Sequence, residues 1–327
     1  MIKQALITGA DGFIGSHLCE NLVQSGYNVR ALVYYNSWES IGNLKYLSPK
    51  LLKNIEIIFG DIRDYHRMKK LIEGTTHIFH LSSLIGIPYS YMAAESYIQT
   101  NIIGTLNILE AAKENKKLEK IIHTSTSEVY GSAKKVPMDE EHPQVAQSPY
   151  SASKISADKF VESYYRSFDL PVVTVRPFNT YGPRQTPRAV IPTIISQLIS
   201  KKDIIEIGDI SPRRDFVFVE DTADAMKRIA LSNNTAGEVF NVGTGKDFSI
   251  EQIIKILFDL NKKKKKIILD SKRKRPKNSE VSRLLCDNTK LKTHINWVPQ
   301  VKIEDGLRKT LDWFKSQSHI VDLGYKY

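Results

Sequence analysis

Residues 8–15 read T-G-A-D-G-F-I-G, with glycines at 9, 12 and 15. They follow an apolar run at 3–8 and open a segment, 13–26, whose apolar residues Ile14, Leu18 and Leu22 have helical spacing and which Gly26 ends. Few folds place such a loop between a strand and a helix. The first glycine permits a tight turn, the second lets backbone approach a pyrophosphate, and the third allows close helix–strand packing. The helix then aims its free amides and positive dipole end at the phosphates. This context predicts dinucleotide binding by Gly9, Gly12, Phe13, Ile14 and Gly15.

The rest of the first half alternates in the same way. NVRALVY (28–34), IEIIF (55–59), THIFHL (76–81), KIIHTST (120–126) and LPVVTV (170–175) read as strands. A long helix is expected over 95–115, through Ile102, Leu106, Leu109 and Ala112. Strands alternating with helices imply a parallel sheet covered on both faces, a Rossmann-type doubly wound α/β fold. After Pro177 the pattern loosens. FVFV (216–219), a helix from Glu220 to Leu231 and EVFNVG (238–243) are expected to return to the main sheet. Residues 303–317 form an amphipathic helix. The expected organisation is a dinucleotide-binding domain over 1–178 with 214–243 returning to it. Residues 179–213 and 244–327 then make a smaller mixed α/β domain for substrate.

Hydrophobic residues make up 41% and charged residues 25% of 327, ordinary for a soluble globular protein. No apolar run approaches the ~20 residues that span a bilayer, and the N-terminus lacks a signal-peptide layout. Cys19 and Cys286 form no disulfide framework, so the expected location is the cytoplasm. The net charge is +11, concentrated in Lys262–Lys266 and Lys272–Arg275. That run reads as a solvated basic surface, or as a few side chains meeting an anionic small molecule. No helix-turn-helix, zinc-finger or RNA-binding signature supports a nucleic-acid partner. The histidines show no metal constellation.

The second strand ends Leu32-Val33-Tyr34-Tyr35-Asn36-Ser37, without the acid that would bind the adenosine 2′-hydroxyl of NAD. Its absence removes a repulsion against the 2′-phosphate of NADP, although no Arg stands beside it in sequence. The expected cofactor is NAD(P), with NADP narrowly ahead and Asn36 and Ser37 at the ribose. Asp61 and Ile62 suit the adenine edge; Asp61 suits a helix cap equally.

Residues 148–154, S-P-Y-S-A-S-K, put Pro149 at a helix start and Tyr150 and Lys154 four apart on one face. An ammonium near a phenol lowers its pKa, so the phenolate can serve as a base. Residues 125–131, S-T-S-E-V-Y-G, end strand five with hydroxyls and a carboxylate.

With these motifs the chain resembles an extended short-chain dehydrogenase/reductase of the NAD-dependent epimerase/dehydratase family acting on nucleotide sugars. The resemblance also rests on HLSS (80–83), TNIIGTLNILEAA (100–112), RPFNTYGPRQ (176–185), RRDFVFVED (213–221) and FNVGTG (240–245). SYMAAESY (90–97), TSTSEVYG and SPYSASKISAD particularly resemble sugar-nucleotide 4,6-dehydratases of the legionaminic-acid type. The resemblance implies a catalytic set of Thr126, Tyr150 and Lys154, with cofactor contacts at Leu81, Ser82, Ser83 and Pro177. It implies that Glu128 removes the C5 proton after C4 oxidation. Ser127, directly or through a water, or the newly protonated Glu128 supplies the acid for water loss. Related dehydratases often carry Asp where Ser127 stands, and Thr-Ser-Glu also occurs in decarboxylases of the family. Arg214, Arg275 and Arg283 match phosphate contacts, with Asn179 and Arg184 along the same groove. Pro88 and Tyr89 line the hexose, or Tyr89 only packs. The expected substrate is a UDP- or GDP-linked N-acetylhexosamine, and the expected assembly a homodimer through 95–115 and 150–168. A 4-epimerase, a decarboxylase or a non-catalytic dinucleotide sensor of the same fold are the alternatives.

Overall fold

A computed structural model describes residues 3–270 and 281–317. Its centre is a seven-stranded parallel sheet. In chain order the first six strands are β1 (Gln4–Thr8), β2 (Asn28–Tyr34), β3 (Ile55–Gly60), β4 (His77–His80), β5 (Lys120–Thr124) and β6 (Val172–Pro177). The seventh, β10, is Val239–Val242, and the order across the sheet is β3-β2-β1-β4-β5-β6-β10. Successive side chains alternate between the faces. In β1, Ala5 and Ile7 join one core and Leu6 the other; in β5, Ile122 and Ile121 divide likewise. Both faces being covered, the apolar residues of these strands run consecutively, Ala5-Leu6-Ile7 and Ile121-Ile122, rather than alternating.

Helix Phe13–Gln24 packs on the first core with helix Val219–Leu231. Helices Gly104–Lys113 and Pro149–Phe168 cover the other face. The long helix expected over 95–115 is broken. Ala94–Tyr97 leads into a π-helical stretch, Ile98–Ile103, before Gly104–Lys113. Strand order reverses between β1 and β4, which makes the crevice at their C-terminal ends the place where such a sheet binds ligands.

A second, four-stranded sheet contains β7 (Asn179–Tyr181), β9 (Arg213–Phe218), β11 (Asp247–Ser249) and β13 (Arg283–Leu284). Two further strands, β8 (Ile204–Ile207) and β12 (Lys266–Leu269), pair with each other. Helices Val190–Ile199, Ile250–Asn261 and Ile303–Ser316 enclose a separate core around them. This corrects one expectation. The FVFV strand does not rejoin the main sheet; it pairs with β7, β11 and β13, and only the helix after it and β10 return. Phe216 and Phe218 fill the second core while Val217 reaches the first. A strand buried on both faces has the same apolar pattern whichever sheet it joins. Among the described residues no helix is long and apolar enough to cross a membrane.

Candidate active site

The turn after β1 closes tightly against the segment after β4. Gly9 has φ +68°, and a Cβ there would lie 2.9 Å from the Ser82 amide nitrogen. A Cβ on Gly15 would lie 2.1 Å from the Gly9 carbonyl oxygen, so only glycine lets the helix start this close. Gly12, the N-cap residue, brings no side chain to the first-turn amides. This is a cradle that fits a pyrophosphate. Phe13 stands edge-on to His17, and Ile14 packs into the first core. Thr8 Oγ1 accepts from the amides of Leu81 and Ser82, both at 3.1 Å, and so donates its own proton to His80 Nδ1 at 2.8 Å. His80 Nε2 then donates to Thr105. Burial, then the nearby His123 and Lys154, hold His80 neutral, far below its ordinary pKa. Leu81 is partly buried against the core, Ser83 half-buried, and Pro177 buried at the end of β6.

At the end of β2, Tyr34 and Tyr35 are exposed. The Asn36 side chain bonds the Tyr34 carbonyl and both backbone groups of Ser40, which leaves Ser37 at the surface of a closed loop. Asp61 accepts from the Arg63 backbone and guanidinium, and Asp64 rather than Asp61 caps the next helix. Arg63 also reaches the Tyr34 hydroxyl at 3.3 Å. A cation therefore does stand beside β2, brought there by folding from 29 positions away. Ile62 is core, packed where Gly104 leaves room.

Beyond β5 the chain stays extended to Thr126, whose hydroxyl accepts the Glu128 amide at 3.2 Å and caps the short turn Ser127–Tyr130. Ser127 is buried and Glu128 half-buried. Opposite, Ser148 and Ser151 cap helix Pro149–Phe168 reciprocally, with Pro149 at its first position. Tyr150 and Lys154, one turn apart, are both buried. Thr126 hydrogen-bonds the Tyr150 phenol, so the structure brings the hydroxyl, the phenol and the Glu128 turn together. Burial pushes the phenol up, Thr126 opposes this, and the Glu128 charge adds to it. The expected lowering by Lys154 is not among the influences on the phenol, and its ammonium donates to the Thr124 carbonyl at 2.7 Å. Burial lowers Lys154 itself to about 8, against the opposing charge of Asp158.

On the substrate side, Tyr89 is 46% exposed and leans on Tyr97, whose ring stands 6.2 Å from Tyr150. Pro88 and Tyr89 share the short helix Ile87–Ser90. Asn179 Oδ1 is buried and has no hydrogen-bond partner among the described residues. Arg214 is buried, in register with Phe248 of β11 and Leu284 of β13. Arg283 pairs with Asp247, as Arg213 does. Arg184 turns the other way, to Glu20 of helix Phe13–Gln24 at 2.8 Å. Arg275 lies outside the described residues.

Two features escaped the sequence reading. Asn101, presented by the π-helical stretch, accepts the Leu84 amide and donates to the Leu84 carbonyl and to Ser153, fixing the segment after β4 against the Tyr150 helix. Asp158, four residues past Lys154, takes His123 at 3.2 Å and Arg176 at 3.0 Å in full burial. The signal for this pair was Arg176 itself. A guanidinium in an apolar strand demands a buried carboxylate.

The sequence matches the GDP-mannose 4,6 dehydratase family over residues 6–310. It is 33% identical to dTDP-D-glucose 4,6-dehydratase of Mus musculus over 325 residues, covering 97% of this chain and 90% of that one. It is 30% identical to a putative UDP-glucose 4-epimerase of Methanocaldococcus jannaschii, covering 96% and 99%. The crystal structure of UDP-glucuronic acid 4-epimerase from Bacillus cereus, in complex with UDP-glucuronic acid and NAD, superposes with a TM-score of 0.88 at 32% identity, covering 96% and 99%. With a match that spans nearly all of its 327 residues, the chain belongs to the GDP-mannose 4,6 dehydratase family of NAD-dependent epimerases and dehydratases.

Proposed function

We propose that the protein is an NAD(P)-dependent nucleotide-sugar 4,6-dehydratase, acting on a UDP- or GDP-linked N-acetylhexosamine. Glu128 carries this reading: a carboxylate held beside Tyr150, close enough for its charge to act on the phenol. Oxidation at C4 alone has no use for it.

Gly9, Gly12 and Gly15 would hold the dinucleotide, which would supply the hydride chemistry that links C4 and C6. Tyr150 takes the proton of the C4 hydroxyl, with Thr126 holding the phenol in place. Lys154, one turn along the same helix, is held on the Thr124 carbonyl and is the ammonium of the set. The C4 ketone acidifies the hydrogen on C5, and Glu128 removes it. Ser127 or the protonated Glu128 then gives a proton to the departing C6 hydroxyl, and water leaves across C5–C6. As hydride reaches C6, C5 takes up one proton, which matches the one released from O4 to Tyr150; the net change is loss of one water, and the product is a 4-keto-6-deoxy sugar. Its use would lie in nonulosonate or other surface-glycan synthesis. Arg214 and Arg283 are the described cations for the diphosphate, and Asn179 and Pro88-Tyr89 line the sugar side.

The test is incubation with a panel of UDP-, GDP- and dTDP-sugars, read by mass spectrometry. Loss of one water is expected; interconversion of C4 epimers without it would replace the dehydratase by the epimerase. NADP is favoured over NAD, supported by Arg63 beside Tyr34 and by the lack of an acid at 33–37. Mass analysis of cofactor released from the purified protein decides this, and NAD alone would refute it. The reading includes a homodimer through the helices at 95–115 and 150–168, with no nucleic-acid or membrane partner. A cytoplasmic location accords with two buried, unpaired cysteines.

A further inference from the structure

The turn that carries Glu128 is anchored by a buried polar chain. Tyr130, the last residue of that turn, is fully buried. Its hydroxyl donates to Asn241 Oδ1 at 2.7 Å and accepts from Arg176 Nη1 at 3.0 Å. Arg176 uses its Nε and Nη2 on Asp158 Oδ2, at 3.2 and 3.0 Å. Asp158 stands on the helix that carries Tyr150 and Lys154, at the same four-residue spacing, and takes His123 on its other oxygen. At the far end Asn241 is held by the Met138 carbonyl and the Glu140 carboxylate. The chain runs without a break from the helix of the C4 chemistry to the turn of the C5 chemistry.

We infer that Tyr130, Arg176 and Asp158 form a brace of positioning residues that sets Glu128 relative to Tyr150. The inference rests on Glu128 being the C5 base. A packed apolar contact would hold the turn in the core but would leave its rotation free. Hydrogen bonds to a planar guanidinium, itself fixed by a carboxylate, set an orientation. Arg176 also lies 5.1 Å over the Tyr130 ring, which adds a second restraint on the same side chain. Such placement matters because a misplacement of about 1 Å costs on the order of 10²-fold in rate.

Tyr130→Phe tests this. Phenylalanine fills the same volume and removes only the hydroxyl at the centre of the chain. Two rates are followed with a processed sugar nucleotide: appearance of reduced cofactor, and incorporation of solvent deuterium at C5. The brace predicts cofactor reduction within about twofold of wild type and C5 exchange slower by roughly tenfold or more, with KM nearly unchanged. Should the variant melt too low for assay, Asn241→Ser carries the same test, since it removes the acceptor of the Tyr130 hydroxyl from the opposite end. Exchange at the wild-type rate, or equal loss of both rates, shows that the chain is structural and overturns the inference while leaving the dehydratase reading intact. A wild-type protein that reduces its cofactor but exchanges nothing at C5 overturns the dehydratase reading, and the brace with it.

Discussion

Glu128→Gln separates the two halves of the proposed reaction. The turn Ser127–Tyr130 is pinned by the Thr126 hydroxyl on the residue 128 amide, at 3.2 Å, and by fully buried Val129 and Tyr130. Glutamine keeps the size and hydrogen-bonding capacity of the side chain but cannot act as a carboxylate base, so the loss is chemical. Removing a positioned general base costs about 10²–10⁴-fold, roughly 3–5 kcal/mol on the barrier for C5 deprotonation. The first half moves the other way. The Glu128 charge pushes the Tyr150 phenol up, so its removal makes deprotonation at O4 easier and C4 oxidation stays at or above the wild-type rate. Stopped-flow absorbance of the reduced nicotinamide should therefore show accumulation on mixing with substrate, where wild type shows a steady low level. Deuterium incorporation at C5 should fall by the full factor. Dehydration near the wild-type rate would refute the assignment and leave Glu128 structural. Oxidation lost together with exchange would refute the separation of the two steps.

Tyr150→Phe keeps the packing on Tyr97 but removes the O4 base, and is expected to lower turnover by at least ~10²-fold in a protein that melts normally; a near-wild-type rate would sink the catalytic assignment. Gly15→Ala sets a methyl 2.1 Å from the Gly9 carbonyl and should open the phosphate cradle, so purified protein carries far less dinucleotide; an unchanged cofactor-to-protein ratio refutes the cradle. Acid should destabilise the fold through its buried histidines. His17 is lowered to about 3 by burial and by the Arg184 charge, and His77 to about 4, chiefly by burial. Unfolded histidine protonates near 6.5. The unfolded chain therefore binds more protons between that value and the folded pKa. Stability is complete above about pH 6.5 and falls with acid by up to ~1.4 kcal/mol per pH unit for each histidine. His17→Gln, which can still donate to the Pro183 carbonyl, should flatten the dependence in urea titrations between pH 6.5 and 4.5; an unchanged slope refutes it.

Local features of the chain were enough to identify what local geometry dictates. A glycine at 15 can be read as a close approach because no other residue survives there, and Tyr150 and Lys154 share a face because helical spacing requires it. Pro149 marks a helix start by the same local chemistry. Contacts between distant segments are another matter. Arg63 reaches Tyr34 only because β2 and β3 are neighbours in a sheet whose order no local pattern encodes. Arg184 in GPRQ reads as lying along the substrate groove until the fold sets Glu20 against it. Phe216, Val217 and Phe218 are a consecutive apolar run buried on both faces, and that pattern does not say which sheet the strand joins. The brace under Glu128 joins residues 130, 158, 176 and 241; Arg176 in an apolar strand signals that a buried partner exists, but which residues supply it is set by packing. Periodicity and turn chemistry act within a few residues, so they are written in sequence. Pairing of buried polar groups is decided by which segments the packed core brings together, and only the tertiary structure contains that.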